Sequence, residues 1–269
     1  MPFDSTTDFV EALSHFVSKR ILPTTFDTAA MRQIDASIRR QSFWSAQNNL
    51  VDILTDEKEK ILSILHPTQE TREGQEQTVT VGFNPAYARQ AIKEHFRAMG
   101  YQPGKGLRGT IQDLSSDNRI NLVIDTNVKL AHGAGHFIQA NADPDVVDQW
   151  PGWEFIRAGE RKEPRRWEGI NGLWVNACRR ASDDAAIACY AKTGRMCALK
   201  SSGVWGEVSD PDYTPGGLGE LYDPVAFGTG MVREEMSREE CEEAELLKPG
   251  QKAEPARFDL ADLFRTPES

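Results

Sequence analysis

The sequence has no long apolar run and only four cysteines. In 269 residues, no hydrophobic stretch approaches the roughly 20 residues that a membrane-spanning helix needs. The first residues, MPFDSTTDFVEALSHF, lack the basic and apolar regions of a signal peptide. The cysteines form no CxxC pair, which favours reduced core residues over a disulfide frame or a metal site. These absences predict a soluble cytoplasmic protein without a membrane partner.

Several motifs that carry chemistry are also missing. There is no GxSxG nucleophile motif, and Gly104-Lys105-Gly106 is not part of a GxxxxGK[ST] phosphate loop. Gly228-Thr229-Gly230 is too short for a dinucleotide fingerprint. We therefore predict no catalytic residue, no cofactor and no enzymatic activity.

The strongest pattern that is present lies at 119–139, RINLVIDTNVKLAHGAGHFIQ. Apolar and small side chains recur there at spacings of three and four, which places them on one helical face: Leu122, Val123, Thr126, Leu130, Ala131 and Ala134. The opposite face carries polar residues: Asp125, Lys129, His132 and His136. Residues 114–118 supply side-chain acceptors for a first helical turn. The helix should therefore begin near Asp117 or Asn118.

His132 and His136 have the four-residue spacing that two zinc ligands on a helix can use. A metalloprotease helix would need HExxH, but Gly133 follows His132 and there is no glutamate general base. We predict no metal site, and we keep a metal-dependent enzyme or toxin domain using these two histidines as an alternative. Gly133 and Gly135 are expected to serve close packing, since glycine otherwise weakens a helix.

Elsewhere, the pattern changes from helical to strand-like along the chain. Apolar periodicity predicts helices at 5–20, 27–45, 50–65 and 84–100. Alanine content with capping aspartates predicts a helix at 183–192, and a charged segment with a cap predicts one at 237–247. Residues rich in β-branched and aromatic side chains predict strands at 153–158, 172–177, 196–199 and 204–208. The expected fold is α+β: a helical N-terminal half followed by a small mixed α/β domain with short antiparallel strands.

Charge is unevenly distributed. Residues 157–200 contain ten basic against five acidic residues, a local net charge of +5 in a chain of −10. We predict that part of this stretch contacts a partner protein or DNA, and the candidate residues are Arg157, Arg161, Lys162, Arg165, Arg166, Arg179 and Arg180. The simpler interpretation is that the basic stretch does not meet phosphates and pairs instead with the acidic C-terminal part of the chain or with a partner protein. A DNA-binding accessory protein is a further alternative, which would require a steep salt dependence of DNA affinity.

Several stretches, in order, resemble the minor head or head morphogenesis proteins of tailed bacteriophages related to the phage Mu F protein. They cover most of 84–247: NPAYARQAIKEHFRAMGY at 84–101, the stretch 107–139 with the IDTNxxxAxGxG pattern, PGWEFIR at 151–157, RKEPRRW at 161–167, GRMCALK at 194–200 with Val204-Trp205, DPVAFGTGM at 223–231 and SREE at 237–240. Residues 170–191 depart from that pattern as an insertion.

The resemblance implies a structural role in the virion. Such a protein would associate with the portal protein and the major capsid protein, and would act in head assembly, DNA packaging or genome delivery. Packaged phage DNA is a possible partner, and the expected location is the phage head, with the host cytoplasm during assembly. The implied organisation is a helical arm at 1–66, a linker or loop at 67–83, the Mu F-like domain at 84–247 and a tail at 248–269.

Overall fold

The computed structural model describes residues 10–66, 68–71, 78–81, 84–159, 163–256, 258 and 263. Its helices and its small antiparallel sheet confirm the predicted α+β class. The chain divides into two compact units. Unit 1 consists of Met1–Gly135 with Leu263–Ser269, and unit 2 consists of His136–Asp262.

Unit 1 is mainly helical. Its helices are α1 (Val10–Ser18), α2 (Thr28–Arg32), α3 (Ala36–Arg40), α4 (Val51–Leu65), α5 (Pro85–Ala98) and the first part of α6 (Asp117–Ala142). Strand β1 (Arg20–Ile21) pairs in parallel with β2 (Ser42–Phe43). Strand β3 (Thr68–Thr71) pairs antiparallel with β4 (Thr78–Val81), so the segment predicted as a linker or loop contains a pair of strands.

Side-chain caps explain where several of these helices begin. Asn84 accepts a hydrogen bond from the Ala86 amide at 2.9 Å and precedes Pro85, which is tolerated in a first turn. The prediction of one helix over 27–45 is wrong because two aspartates cap separate short helices. Asp27 caps α2 and Asp35 caps α3 through the amides of the following turn.

The core of unit 1 is built from α1, α4, α5 and α6. Its buried residues are Ala12, Phe16, Phe43, Ile53, Leu54, Ile61, Ile64, Ala88, Ile92, Phe96, Leu114, Ile120, Val123, Ile124 and Ala131. Phe16 and Phe43 meet edge to face, with ring centroids 5.9 Å apart. The segment predicted as an arm and the one predicted to open the next domain both supply side chains to this core.

Helix α6 confirms the helix predicted at 119–139. The Ser116 hydroxyl accepts a hydrogen bond from the Arg119 amide at 3.1 Å, and the helix begins at Asp117 as expected. The predicted polar face is exposed at all four positions: Asp125, Lys129, His132 and His136. The boundary between the two units falls within this helix, after Gly135.

Unit 2 contains short helices around a three-stranded antiparallel sheet. Its further elements are α7 (Pro144–Gln149), β5 (Gly152–Arg157), α8 (Leu173–Arg180), α9 (Asp184–Thr193), β6 (Cys197–Leu199), α10 (Val204–Glu207), β7 (Met231–Met236) and α11 (Arg238–Glu243). The strand order is β6-β5-β7, so β5 is central. Its Trp153 lies opposite Ala198 on one side and Glu235 on the other.

An aromatic cluster forms the core of unit 2 beside β5. The Phe155 ring lies 4.9 Å from Trp167, 6.1 Å from Trp174 and 6.5 Å from Trp205, measured between ring centroids. All four side chains are almost fully buried. Burial of large aromatic side chains is a major source of stability in a unit of this size.

Two predicted strands and one missed strand mark where the sequence pattern was ambiguous. Residues 172–177 and 204–208 were predicted as strands, and this is wrong: they lie in α8 and α10. A short apolar run looks the same in a buried strand and in a buried helix. Strand β7 was missed because Arg233, Glu234 and Glu235 interrupt its apolar pattern.

The four cysteines, Cys178, Cys189, Cys197 and Cys241, are free and buried. This confirms the prediction of reduced core residues. Burial raises the pKa of the Cys178 and Cys241 thiols to about 12, so both are protonated at neutral pH.

Candidate partner-contact site

The predicted contact residues begin at the end of the central strand of unit 2. Arg157 is the last residue of β5, and its side chain lies 2.9 Å from a carboxylate oxygen of Glu168. Partial burial of Glu168 opposes ionisation, but the hydrogen bond and charge of Arg157 lower its pKa overall. Arg157 is therefore paired within the unit, at a site that is partly open to solvent.

Arg165 holds a loop together. Its Nε atom donates to the Pro215 carbonyl at 2.8 Å, and Nη2 donates to the Phe227 carbonyl at 2.8 Å. Gly216 has a φ of +73°, and a Cβ atom there would lie 3.0 Å from Nη2 of Arg165. The guanidinium thus fixes the glycine-rich segment that runs from α10 to β7.

Arg179 and Arg180 lie at the end of α8. Arg179 is exposed and donates to the Asn176 side chain at 2.9 Å. Arg180 pairs with the Glu207 carboxylate at 2.6 Å and lies over the Tyr213 ring, 4.0 Å from its centroid. Tyr213 is 55% exposed, so this stacked pair reaches the surface.

Arg166 is exposed, as are its neighbours Glu168 and Ile170. Arg161 and Lys162 lie outside the described residues. Of the candidate residues that the structure describes, Arg166 and Arg179 present the most accessible positive charge, because neither forms an ion pair within those residues.

Other cations of the basic stretch pair with carboxylates. Lys192 pairs with Glu245, Arg195 with Glu154 at 2.6 Å, and Lys200 with Glu235 at 2.7 Å. Two of these three acids lie in the C-terminal part of the chain, as the alternative of internal pairing expected. Unit 2 as a whole carries fifteen lysines and arginines against twenty-four acidic residues, a formal charge of −9. The local excess of positive charge in the sequence is therefore offset by acids from elsewhere in the unit.

Lys200 and Arg233 are buried cations that the sequence did not reveal. The Lys200 ammonium lies 5.5 Å from the Trp153 ring centroid and donates to the Ala140 carbonyl at 3.0 Å. Burial lowers its pKa, while the contact with Glu235 opposes that shift. The Arg233 guanidinium contacts both the Trp153 and the Trp205 ring, 5.3 and 4.9 Å from their centroids. The burial of Lys200 could have been predicted from the apolar segment Met-Cys-Ala-Leu that directly precedes it.

The histidine pair of the metal alternative lies on the exposed face of α6. Among the described residues, no group of three or more histidine, cysteine or acidic side chains is arranged to hold a metal ion. His132 and His136 are one helical turn apart, as the spacing predicted.

Comparison with known proteins adds no further identification. No family model, no characterised protein and no solved structure matches the chain. In the described residues, the helices all fall short of the length and apolar character that crossing a membrane requires.

Proposed function

We propose that the chain is a structural protein of a tailed-phage or prophage head, associated with the portal and the capsid and acting in head morphogenesis. The observation that carries this proposal is the ordered set of sequence stretches that resemble Mu F-like minor head proteins. One such motif alone would be weak support for the resemblance. These motifs, however, follow one another in order over most of 84–247. The role extends to genome packaging or delivery.

The positions of these stretches support a shared architecture. PGWEFIR forms the central strand β5, GRMCALK contains β6, and Val204-Trp205 supplies part of the aromatic core. DPVAFGTGM leads into β7, and SREE contains the capping box of α11. The stretches from PGWEFIR onward therefore fall on residues that build unit 2, whereas NPAYARQAIKEHFRAMGY and the aspartate-threonine-asparagine pattern of α6 lie in unit 1.

The surface at α8 suits contact with another protein of the head. It presents Arg166, Ile170, Arg179 and the stacked Tyr213, all of them exposed. Arginine and tyrosine are among the residues that contribute most to protein interfaces, because they combine a large contact area with directed hydrogen bonds. This surface includes Ile170 and Arg179, which belong to the 170–191 insertion. The contact would therefore be particular to this chain.

Mass spectrometry of purified particles tests the role. We expect the chain in mature virions, at a few copies for each head. Its absence from both mature particles and assembly intermediates would contradict the proposal.

Charge reversal tests the α8 surface. The double substitution Arg166→Glu and Arg179→Glu should reduce incorporation into heads at least tenfold, because it reverses the charge that this surface presents to its partner. Lys248→Glu with Lys252→Glu is the matched control, since both lysines are exposed in the same unit and the change of charge is identical. Equal incorporation of the two double variants would exclude this surface as the contact.

A further inference from the structure

A row of three cations lies along α5 in unit 1. Arg89, Lys93 and Arg97 are spaced by four residues, which places them on one face with about 6 Å of helix rise between neighbours. They border the buried stripe of α5 formed by Ala88, Ile92 and Phe96. The row therefore has a fixed backbone position while its charged ends reach the surface.

Two more cations extend this surface. Lys105 and Arg108 are exposed in the loop between α5 and α6. The Asn118 side chain donates to the Gly109 carbonyl at 3.5 Å, which holds the loop beside the start of α6. Asp117, next to Asn118, lies 2.9 Å from the Lys93 ammonium and 3.8 Å from Nε of Arg89. These contacts connect the row on α5 to the loop through the first turn of α6.

The charge of each unit favours this surface over the basic stretch of unit 2. Unit 1 has sixteen lysines and arginines against seventeen acids, a formal charge of −1 compared with −9 for unit 2. Between 89 and 117, a range that includes the first residue of α6, there are five cations against three acids, Glu94, Asp113 and Asp117. A polyanion is thus repelled by unit 2 as a whole and attracted to this face of unit 1.

We infer that the basic face formed by Arg89, Lys93, Arg97, Lys105 and Arg108 binds the phosphate backbone of duplex DNA. One strand carries a phosphate every 3.4 Å of the DNA axis, and the row on α5 is about 12 Å long, so it can lie against several phosphates. Asn118 and Asn121 add amide groups of the kind that contact phosphates without reading base sequence. Contacts to phosphates carry no base-sequence information, so this binding is independent of DNA sequence.

Asp117 regulates the strength of this contact. Its carboxylate is held first by the hydrogen bond from Lys93, and the charges of Lys93, Arg89 and Arg97 further lower its pKa. In the free protein, Asp117 pairs with cations that would otherwise contact phosphates. Removing its charge should therefore strengthen DNA binding, whereas removing a cation should weaken it.

The experiment measures the affinity of the full chain for a random-sequence DNA duplex between 50 and 200 mM salt. Five phosphate contacts predict a slope of about −4.5 for log affinity against log salt, or about 500-fold weaker binding across that range. The triple substitution Arg97→Gln, Lys105→Gln and Arg108→Gln should reduce the slope to about −1.8. These three side chains are exposed and form no ion pair within the described residues, so the variant should keep its fold.

Two single substitutions sharpen the test. Asp117→Asn should raise affinity severalfold at 50 mM salt, since it releases Lys93 and Arg89. Lys129→Gln is the matched control, because Lys129 is an exposed lysine farther along α6, and it should leave both affinity and slope unchanged. Thermal unfolding of each variant shows whether the fold is kept.

Absence of DNA binding at 50 mM salt would overturn the inference, as would a salt slope that the triple substitution leaves unchanged. Binding of acidic polypeptide without binding of DNA would also overturn it and indicate a protein partner. The inference goes beyond a structural role in the head, and its outcome is independent of that role. DNA binding and incorporation into virions are separate measurements. Either proposal can therefore fail while the other holds.

Discussion

Glu57 on α4 is the least exposed acidic residue in the part of the chain that the structure describes. It is 1% exposed, and burial raises its pKa to about 8 despite the opposing charge of Arg119. Its Oε2 atom and Nε of Arg119 have no hydrogen-bond partner within the described residues, so the two groups do not form a fully bonded ion pair. The carboxyl group is therefore mostly neutral at pH 7.

Glu57→Gln should remove a pH dependence of stability. The folded-state pKa lies above the unfolded value of 4.5, so the stabilisation is complete below pH 4.5 and is lost as pH rises through about 8. Over that range the group lowers the free energy of unfolding by up to about 1.4 kcal/mol per pH unit. Urea unfolding at several pH values should show that loss in the wild type and not in the variant. Glu59→Gln, an exposed neighbour on α4, should behave like the wild type.

His15 on α1 has the opposite dependence. Its ring is fully buried, with Nδ1 3.1 Å from the Leu263 carbonyl, and burial lowers its pKa from 6.5 to about 3. The stabilisation is present above pH 6.5 and is lost as pH falls towards 3. His15→Gln should remove this acid sensitivity, as measured by urea unfolding between pH 7 and pH 4. An unchanged pH slope in the variant would contradict a neutral buried histidine.

At the scale of elements, glycines at the starts of two short helices serve different purposes. Gly172 precedes α8, and a Cβ atom there would lie 2.3 Å from the Trp167 carbonyl oxygen and 2.4 Å from that of Glu168. Gly203 precedes α10, where the nearest atom to an added Cβ would be the Ala181 methyl at 3.6 Å. Close backbone approach requires glycine at the first position and not at the second.

Gly172→Ala should destabilise unit 2 by roughly 2 kcal/mol or more, because backbone atoms must move to admit the methyl group. Gly203→Ala adds the same methyl group in ordinary contact distance, and its effect should stay within about 0.5 kcal/mol. Chemical denaturation followed by tryptophan fluorescence measures both, since five of the six tryptophans lie in unit 2. Similar losses in the two variants would show that the contact at Gly172 relaxes easily.

The elements also show which features a single sequence predicts well. Helices α4, α5 and α6 were predicted because several turns of apolar spacing combine with residues that end or cap them. Helix α9 was predicted from its alanine content and its capping aspartates. Strand β5 was predicted from its aromatic and β-branched content. Helices α8 and α10 were mistaken for strands because four to eight residues are too few to reveal a period.

At the scale of the whole molecule, the sequence predicts the amount of charge but not its pairing. Lys200 was counted with the basic surface, yet it is buried against Glu235, an acid 35 positions later. The basic row on α5 was present as a four-residue spacing, but its relation to Asp117 and the following loop depends on the packed helices. The sequence identified the candidate contact residues of unit 2 and the histidine pair. Only the fold shows which of these side chains reach the surface.

The positions of the four buried cysteines have a practical consequence. All of them belong to unit 2, and unit 1 has none. A thiol reagent can modify them only when unit 2 opens, so the rate of labelling reports the opening of that unit alone. The native chain thus contains its own unit-specific reporter, which requires no introduced probe.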